Sequence, residues 1–140
     1  MILFDTSVLS RVFRRKRSGA EERRLQVVFE ELMASEVPLG LPGIVLQEAL
    51  SGIPSQRQFA DLKLKLLAAF VIIPAAVRDH VEAARLKNAC RSKGLNASGV
   101  DCLIAACAIV GSHELFAVDD DFAAIARHAP LRLFRGHDVA

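Results

Sequence analysis

Short apolar segments alternate with longer helical patterns along this chain. The segments are ILF at 2–4, VPLGL at 37–41, FVII at 70–73, LFAV at 115–118 and LRLF at 131–134. Residues at helical spacing lie between them, such as Leu25, Val28, Phe29, Leu32 and Met33, and then Val77, Val81 and Ala84. This alternation is typical of parallel strands joined by right-handed helical crossovers. The sequence therefore predicts an α/β protein with a parallel sheet of about five strands and helices on both faces.

Helix boundaries are predicted at three further places. Pro54 is expected to be the first residue of a helix, although the embedded LKLKL segment alternates as a strand does. Its apolar stripe is Phe59, Leu62, Leu66, Leu67 and Phe70. The segment SGVD at 98–101 fits a capping box before an apolar helix, and DDDF at 119–122 opens another helix.

The length and composition favour one domain covering residues 1–140, since the chain has 140 residues and 52% of them are hydrophobic. The longest apolar run, at 66–77, contains Pro74 and is shorter than the ~20 residues that cross a bilayer. A secretory signal places positive charge before its apolar core, whereas here Asp5 interrupts the apolar start and the arginines follow. We therefore expect a cytoplasmic protein without a membrane partner.

The cysteines and histidines do not indicate a metal site or a disulfide framework. Three cysteines, without Cys-x-x-Cys spacing, are expected to be small core residues: Cys90, Cys102 and Cys107. The four histidines form no His-x-x-x-His pair. Any catalytic site is therefore expected to use other residues.

The net charge is only +2, but the positive charge is concentrated in one segment. Seven basic residues face only Glu21 and Glu22 there: Arg11, Arg14, Arg15, Lys16, Arg17, Arg23 and Arg24. Such a cluster is either a solvated helix face or a surface that contacts phosphates. The residues Arg11, Arg14, Arg15, Lys16 and Arg17 are the candidates for an RNA contact.

Four acidic residues lie after predicted strands or in the helices that follow them. Asp5 follows the first strand, Glu48 lies in a helix after the second, Asp101 begins a helix and Asp119 ends the fourth strand. In a parallel sheet these positions can meet at the carboxyl edge, where ligands bind. Taken singly, each acid also fits a helix cap, a turn or an exposed helix position.

If these carboxylates meet, their repulsion requires compensation. One pair at ~4 Å costs about 4 kcal/mol at an effective dielectric of 20. A divalent cation removes this cost, and ligands that are all oxygen select Mg²⁺ or Mn²⁺ over zinc. Thr6 and Ser7 would then orient Asp5 or hold a water on the ion.

These segments resemble the PIN-domain ribonucleases, and within them the VapC-type toxins of bacterial toxin–antitoxin pairs. LFDTSVL is similar to the first acidic motif of that family, VLQEAL to the second, SGVDCLIAACA to the third and LFAVDDDF to the fourth. The resemblance implies that Asp5, Glu48, Asp101 and Asp119 are catalytic and bind the metal. Asp121 would be an accessory ligand, and Thr6 and Ser7 supporting hydroxyls.

The resemblance also implies a compact α/β fold, Mg²⁺- or Mn²⁺-dependent cleavage of RNA, a homodimer and inhibition by a cognate antitoxin protein. One departure is Ala117, where the fourth motif usually has Thr or Ser. Ala117 therefore leaves open an alternative: a catalytically weakened or inactive PIN module that binds RNA or a partner protein.

Two other acidic α/β families fit less well. A haloacid-dehalogenase phosphatase needs Asp-x-Asp after its first strand, and the second position here is Ser7. A receiver domain needs an acidic pair after the first strand and an Asp after the third, and FVIIPAAV supplies no such Asp.

Overall fold

The computed structural model describes residues 1–13 and 19–136, which contain a five-stranded parallel sheet. The strands are β1 (Ile2–Phe4), β2 (Leu39–Pro42), β3 (Val71–Ile73), β4 (Glu114–Phe116) and β5 (Arg132–Leu133). Their order across the sheet is β3-β2-β1-β4-β5. The predicted α/β fold with about five parallel strands is confirmed.

Strand β1 lies at the centre of the sheet and pairs with both β2 and β4. All three of its residues are buried, as expected for a parallel strand that is covered on both faces. Gly40 in β2 allows the close packing beside it, because a Cβ there would lie 2.9 Å from a side-chain carbon of Leu3. The buried strand is followed directly by Asp5, so a carboxylate lies at the carboxyl edge of the central strand.

Seven helices connect the strands within the described residues. They are α1 (Thr6–Val12), α2 (Ala20–Ala34), α3 (Gly43–Leu50), α4 (Gln56–Ala69), α5 (Val77–Ser92), α6 (Gly99–Val110) and α7 (Asp120–Ala126). Right-handed crossovers place the helices that precede β3 on one face and the later ones on the other. In agreement, α1 packs against α2 and α3, whereas α6 packs against α5 and α7, with α3 also touching α6.

Phenylalanine rings dominate one part of the core. Phe4 of β1 packs edge-to-face against Phe70 and Phe116, with ring centroids 5.0 and 5.2 Å apart. Phe29 of α2 reaches the same ring at 6.0 Å. Such pairs add about 0.5–1.5 kcal/mol each beyond the area they bury, so this cluster fixes β1 firmly between its neighbours.

The three cysteines are free and buried, as predicted. Cys90 lies on α5, and Cys102 and Cys107 lie on α6. Their small side chains form part of the core between these two helices.

Two sequence-based boundaries were wrong by a few residues. The helix expected to begin at Pro54 begins at Gln56, because the Ser55 hydroxyl accepts the Gln58 amide (3.2 Å) and caps it. Asp119 does not end β4, which ends at Phe116, but is the N-cap of α7. The LKLKL segment is helical within α4.

Several residues of the predicted apolar stripes are exposed. Phe59 and Leu67 of α4 and Val81 of α5 are each at least 39% exposed, and Val77 is 80% exposed. Only Leu66 and Phe70 of the α4 stripe are fully buried. Within the described ranges, the helices are all too short or too polar to cross a bilayer.

Candidate active site

The acidic residues lie at the point where the strand order reverses. The chain builds β1, β2 and β3 outward in one direction and then returns to place β4 on the other side of β1. In open parallel sheets this switch point leaves a crevice at the carboxyl edge, where ligands bind. Asp5 follows β1 directly, and Asp119 follows β4 after two residues. We call Asp5, Glu48, Asp101 and Asp119 the acidic site.

Asp5 is the buried member of the acidic site, with 4% of its surface exposed. It is the N-cap of α1, where its Oδ2 accepts the Ser7 amide at 3.1 Å. Its own amide donates to the Phe116 carbonyl at 2.9 Å and so joins the ends of β1 and β4. Both contacts fix the position of this carboxylate relative to the sheet.

Asp101 lies in the first turn of α6, which is capped by Ser98. The Asp101 amide donates to the Ser98 hydroxyl at 3.0 Å, as the capping pattern predicts. Burial, followed by the charges of Asp119, Asp5 and Asp121, raises the pKa of Asp101 to about 6, and the Ser98 hydroxyl opposes the rise. The fold therefore brings three other aspartates close enough to disfavour the ionised form of Asp101.

Asp119 shows the same electrostatic coupling. Burial raises its pKa first, and the charge of Asp5 adds to the rise, with a smaller contribution from Asp121. The backbone amides of Phe122 and Asp121 act in the opposite direction. Asp5, Asp101, Asp119 and the predicted accessory residue Asp121 thus share one negatively charged region at the carboxyl edge.

Glu48 joins this region through a hydroxyl group. It is exposed on α3, and its Oε1 accepts a hydrogen bond from Thr6 Oγ1 at 2.9 Å. Since Thr6 follows Asp5, this bond holds Glu48 beside the end of β1. Glu48 is not among the charges that raise the pKa of Asp101 or Asp119. The charges of Asp5, Asp101 and Asp119 therefore interact with one another more strongly than with the charge of Glu48.

The two predicted supporting hydroxyls have different partners. Thr6 supports Glu48, whereas Ser7 Oγ accepts the Val118 amide at 3.1 Å. Ser7 therefore anchors the segment that follows β4 and carries Asp119. This is the segment in which Ala117 lacks a hydroxyl, and the bond to Ser7 contributes to its order.

The oxygen atoms of the acidic site are ligands that a hard divalent cation prefers. All the candidate ligands are carboxylate oxygens, and within residues 1–13 and 19–136 no Lys or Arg forms an ion pair with Asp5, Asp101 or Asp119. However, across these residues no three His, Cys, Asp or Glu side chains are arranged to hold a metal ion. A cation bound at this edge would offset the mutual repulsion of these aspartates.

The basic segment is described only in part. Arg11 pairs with Glu21 of α2 at 2.9 Å and donates to the Ser7 carbonyl at 2.8 Å, so it ties α1 to α2. Arg14, Arg15, Lys16 and Arg17 lie outside the described residues. Their role in RNA binding stays a prediction.

A cleft beside the acidic site was missed by sequence reasoning. It has a volume of about 220 Å³ and lies between α1, α3 and α4. We call it the first cleft; its lining residues are Thr6, Leu9, Ser10, Phe13, Glu48, Ala49, Leu62 and Leu66. The sequence signals the apolar face of each helix but not the gap between them, because the gap depends on how three separate helices pack.

The comparison with protein families agrees with this geometry. A model of the PIN domain family matches residues 2–128, which is most of the chain. The chain belongs to the PIN domain family. The PIN resemblance read from the four acidic motifs is therefore confirmed at the level of the family.

Solved structures with this PIN fold come from several bacteria. FitAcB from Neisseria gonorrhoeae aligns with 21% identity and a TM-score of 0.76, covering 98% of this chain and 99% of that one. VapBC-1 from nontypeable Haemophilus influenzae gives 17% identity and a TM-score of 0.77, with coverages of 98% and 99%. VapC20 from Mycobacterium tuberculosis is described as a toxin that cleaves the sarcin-ricin loop. It aligns with 16% identity and a TM-score of 0.70, covering 94% of this chain and 99% of that one. At these identities the likeness shows a shared fold.

The raised pKa of Asp101 predicts how the stability of the protein depends on pH. Because the pKa of Asp101 rises from 3.8 to about 6 on folding, the folded protein binds more protons than the unfolded chain between these values. Without metal, Asp101 therefore contributes a free energy of unfolding that falls as the pH rises from about 4 to about 6. Asp101→Asn should remove this contribution and should melt no lower than the parent at neutral pH in EDTA.

The matched control is Asp120→Asn, which also removes a carboxylate from the first turn of a helix. Asp120 is not among the charges that shift Asp101, so this variant should keep the pH dependence. The measurement is thermal melting across pH in EDTA. If Asp101→Asn is destabilised and keeps the parent's pH dependence, Asp101 is a simple helix-start residue, which contributes about 0.3–1 kcal/mol through the helix dipole.

Proposed function

We propose that this protein is a divalent-metal-dependent endoribonuclease that acts as the toxin of a toxin–antitoxin pair. The observation that carries the proposal is the convergence of Asp5, Asp101 and Asp119 at the switch point of the sheet, where the charge of Asp5 adds to burial in raising the pKa of the other two. Retaining like charges there has a cost in stability, and a bound cation offsets it. The all-oxygen donors favour Mg²⁺ or Mn²⁺ as the cofactor.

Within this proposal each residue has a distinct task. Asp5, Asp101 and Asp119 hold the ion, with Glu48 and Asp121 as further oxygen donors. The Ser7 amide fixes Asp5, and the Thr6 hydroxyl orients Glu48 toward the same edge. A bound Mg²⁺ or Mn²⁺ supplies Lewis-acid chemistry that makes water a stronger nucleophile and neutralises charge on a phosphodiester.

No histidine is needed for this chemistry. His113 contacts the amino group of Met1 at 3.2 Å, which lies before β1 at the opposite edge of the sheet. The carboxylates of the acidic site are the groups that we propose as proton acceptors. Among them Glu48 and Asp119 are exposed, Asp101 is half-buried and Asp5 is buried.

A weakened or inactive module that binds RNA or a partner is the alternative, and Ala117 is the observation behind it. The hydroxyl missing at Ala117 would belong to the segment after β4. Ser7 Oγ already accepts the Val118 amide in that segment, which supports retained order around Asp119. We therefore favour the active enzyme.

The proposed partners are an RNA substrate, a cognate antitoxin and a second copy of this chain. The antitoxin is supported by the toxin–antitoxin complexes among proteins of the same fold. A pocket of carboxylates beside the apolar first cleft also suits an Arg or Lys side chain that reaches in from another protein. The homodimer rests on the family resemblance alone.

Cleavage of RNA should depend on both the metal and the aspartates. The purified parent protein should fragment total RNA in Mg²⁺ or Mn²⁺ but not in EDTA. Asp101→Asn and Asp119→Asn should each lower the rate by at least about 100-fold, which corresponds to a loss of about 2.7 kcal/mol of transition-state stabilisation. The assay is gel electrophoresis of end-labelled RNA.

The control variant is again Asp120→Asn, because it lies beside Asp119 without joining the coupled aspartates. It should cleave at close to the parent's rate. Cleavage that persists in EDTA, or that is equally lowered by Asp120→Asn, would contradict the proposed metal site.

The toxin assignment is tested in cells rather than with purified protein. Expression of the parent chain should stop growth, and co-expression with the protein from the neighbouring reading frame should restore it. Asp101→Asn should be harmless when expressed alone at the same level. A parent that is harmless, or whose toxicity the neighbouring protein does not relieve, would contradict the toxin assignment. The nuclease activity is tested separately, by the cleavage assay.

A further inference from the structure

The first cleft continues into a second cleft on the side away from the acidic site. The second cleft has a volume of about 210 Å³, and its lining residues are Phe13, Ile53, Gln58, Asp61, Leu62 and Lys65. Phe13 and Leu62 line both clefts. Together the clefts form one groove along α4 that begins at Thr6 and Glu48 and passes over Phe13.

The first cleft is apolar along its floor and polar at its rim. Its floor contains Leu9, Phe13 and Leu66, whereas Thr6, Ser10 and Glu48 supply oxygen atoms. Its volume of about 220 Å³ is smaller than the roughly 300–1,000 Å³ of sites for drug-sized molecules. An apolar cleft of this size with a few polar atoms suits a small, flat heterocycle.

Phe13 is suited to stack against such a ring. It is half-buried at the C-cap of α1 and packs edge-to-face against Phe29, with ring centroids 5.5 Å apart. This contact holds the ring in place, so little side-chain freedom is lost when a ligand stacks on it. The chain contains no Trp or Tyr, so Phe is the only aromatic residue that can offer this surface to a base.

We propose that the first cleft holds an unpaired nucleobase of the RNA substrate, stacked on Phe13, next to the phosphodiester at the acidic site. The inference rests on the proposed nuclease function and names how that site holds its substrate. Glu48 belongs to both the cleft and the acidic site, and its partner Thr6 also lines the cleft, so a nucleotide bound in one places its phosphate at the other. A base within a duplex cannot enter, so the substrate is single-stranded or looped RNA.

The aromatic floor of the first cleft favours a nucleobase as its occupant. Asp61 and Lys65 both line the second cleft, so charges of both signs border the groove there. Single-stranded nucleic acids bind where bases stack on aromatic rings, and such stacking tolerates any base. The first cleft offers the Phe13 ring for this contact and shares Glu48 with the acidic site.

The test measures binding of two ten-nucleotide oligomers by fluorescence anisotropy in Ca²⁺, which takes oxygen ligands as Mg²⁺ does. One oligomer is single-stranded RNA of random sequence, and the other is an abasic ribose-phosphate chain of equal length. Phe13→Ala should weaken binding of the RNA by about 5- to 150-fold, the range expected for one lost stack, and should leave binding of the abasic chain unchanged.

Two further variants separate stacking from folding. Ala49→Leu fills the first cleft from α3 without removing a core side chain, and should weaken RNA binding to a similar degree. Phe59→Ala removes an exposed ring of α4 that lines neither cleft, and should bind RNA as the parent does. An RNA that contains 2-aminopurine should lose fluorescence on the parent but much less on Phe13→Leu, which keeps the apolar contact with Phe29.

Four outcomes would overturn the inference. If Phe13→Ala and Ala49→Leu bind RNA as the parent does while the parent cuts RNA in Mg²⁺, the base lies elsewhere and the proposed function stands. If Phe13→Ala weakens binding of the abasic chain equally, Phe13 has a structural role. If both variants bind RNA as the parent does and lose only the binding of a co-expressed partner protein, the groove holds that protein. A parent that neither binds nor cuts RNA removes the proposed function and this inference together.

Discussion

Repulsion among carboxylates at the carboxyl edge is the constraint on which this structure depends. Asp5, Asp101 and Asp119 come from three distant parts of the chain, and burial together with the charges of Asp119 and Asp5 raises the pKa of Asp101 to about 6. A fold selected only for stability would place uncharged residues there. The cost is consistent with a site whose favourable state includes a cation.

The central sheet supplies the rigidity that this repulsion requires. Phe4 is locked between Phe70 and Phe116 directly before Asp5, and the Asp5 amide bonds to the Phe116 carbonyl. The end of β1 and the segment after β4 therefore cannot separate freely to relieve the charge. Rotation of the carboxylate side chains is the motion that remains.

The sequence predicted the sheet and the cap of α6 well because both depend on local signals. The strand at 2–4 is apolar without interruption because it is covered on both faces, and SGVD at 98–101 contains the Ser98 cap itself. The start of α4 was missed because Ser55, rather than Pro54, makes the capping bond. The Thr6–Glu48 bond and the first cleft could not be predicted, since each depends on how helices from distant segments pack.

The central claim is that three aspartates of this PIN domain converge on one divalent cation, and crystals grown with Mn²⁺ test it most directly. Anomalous scattering should show an ion bound by carboxylate oxygens of Asp5, Asp101 and Asp119, at the roughly 2.0–2.2 Å that small divalent cations take with oxygen. The same crystals of Asp101→Asn should lose the peak or most of its occupancy. A parent with no ion at this edge, under Mn²⁺ concentrations that support cleavage of RNA, would contradict the account.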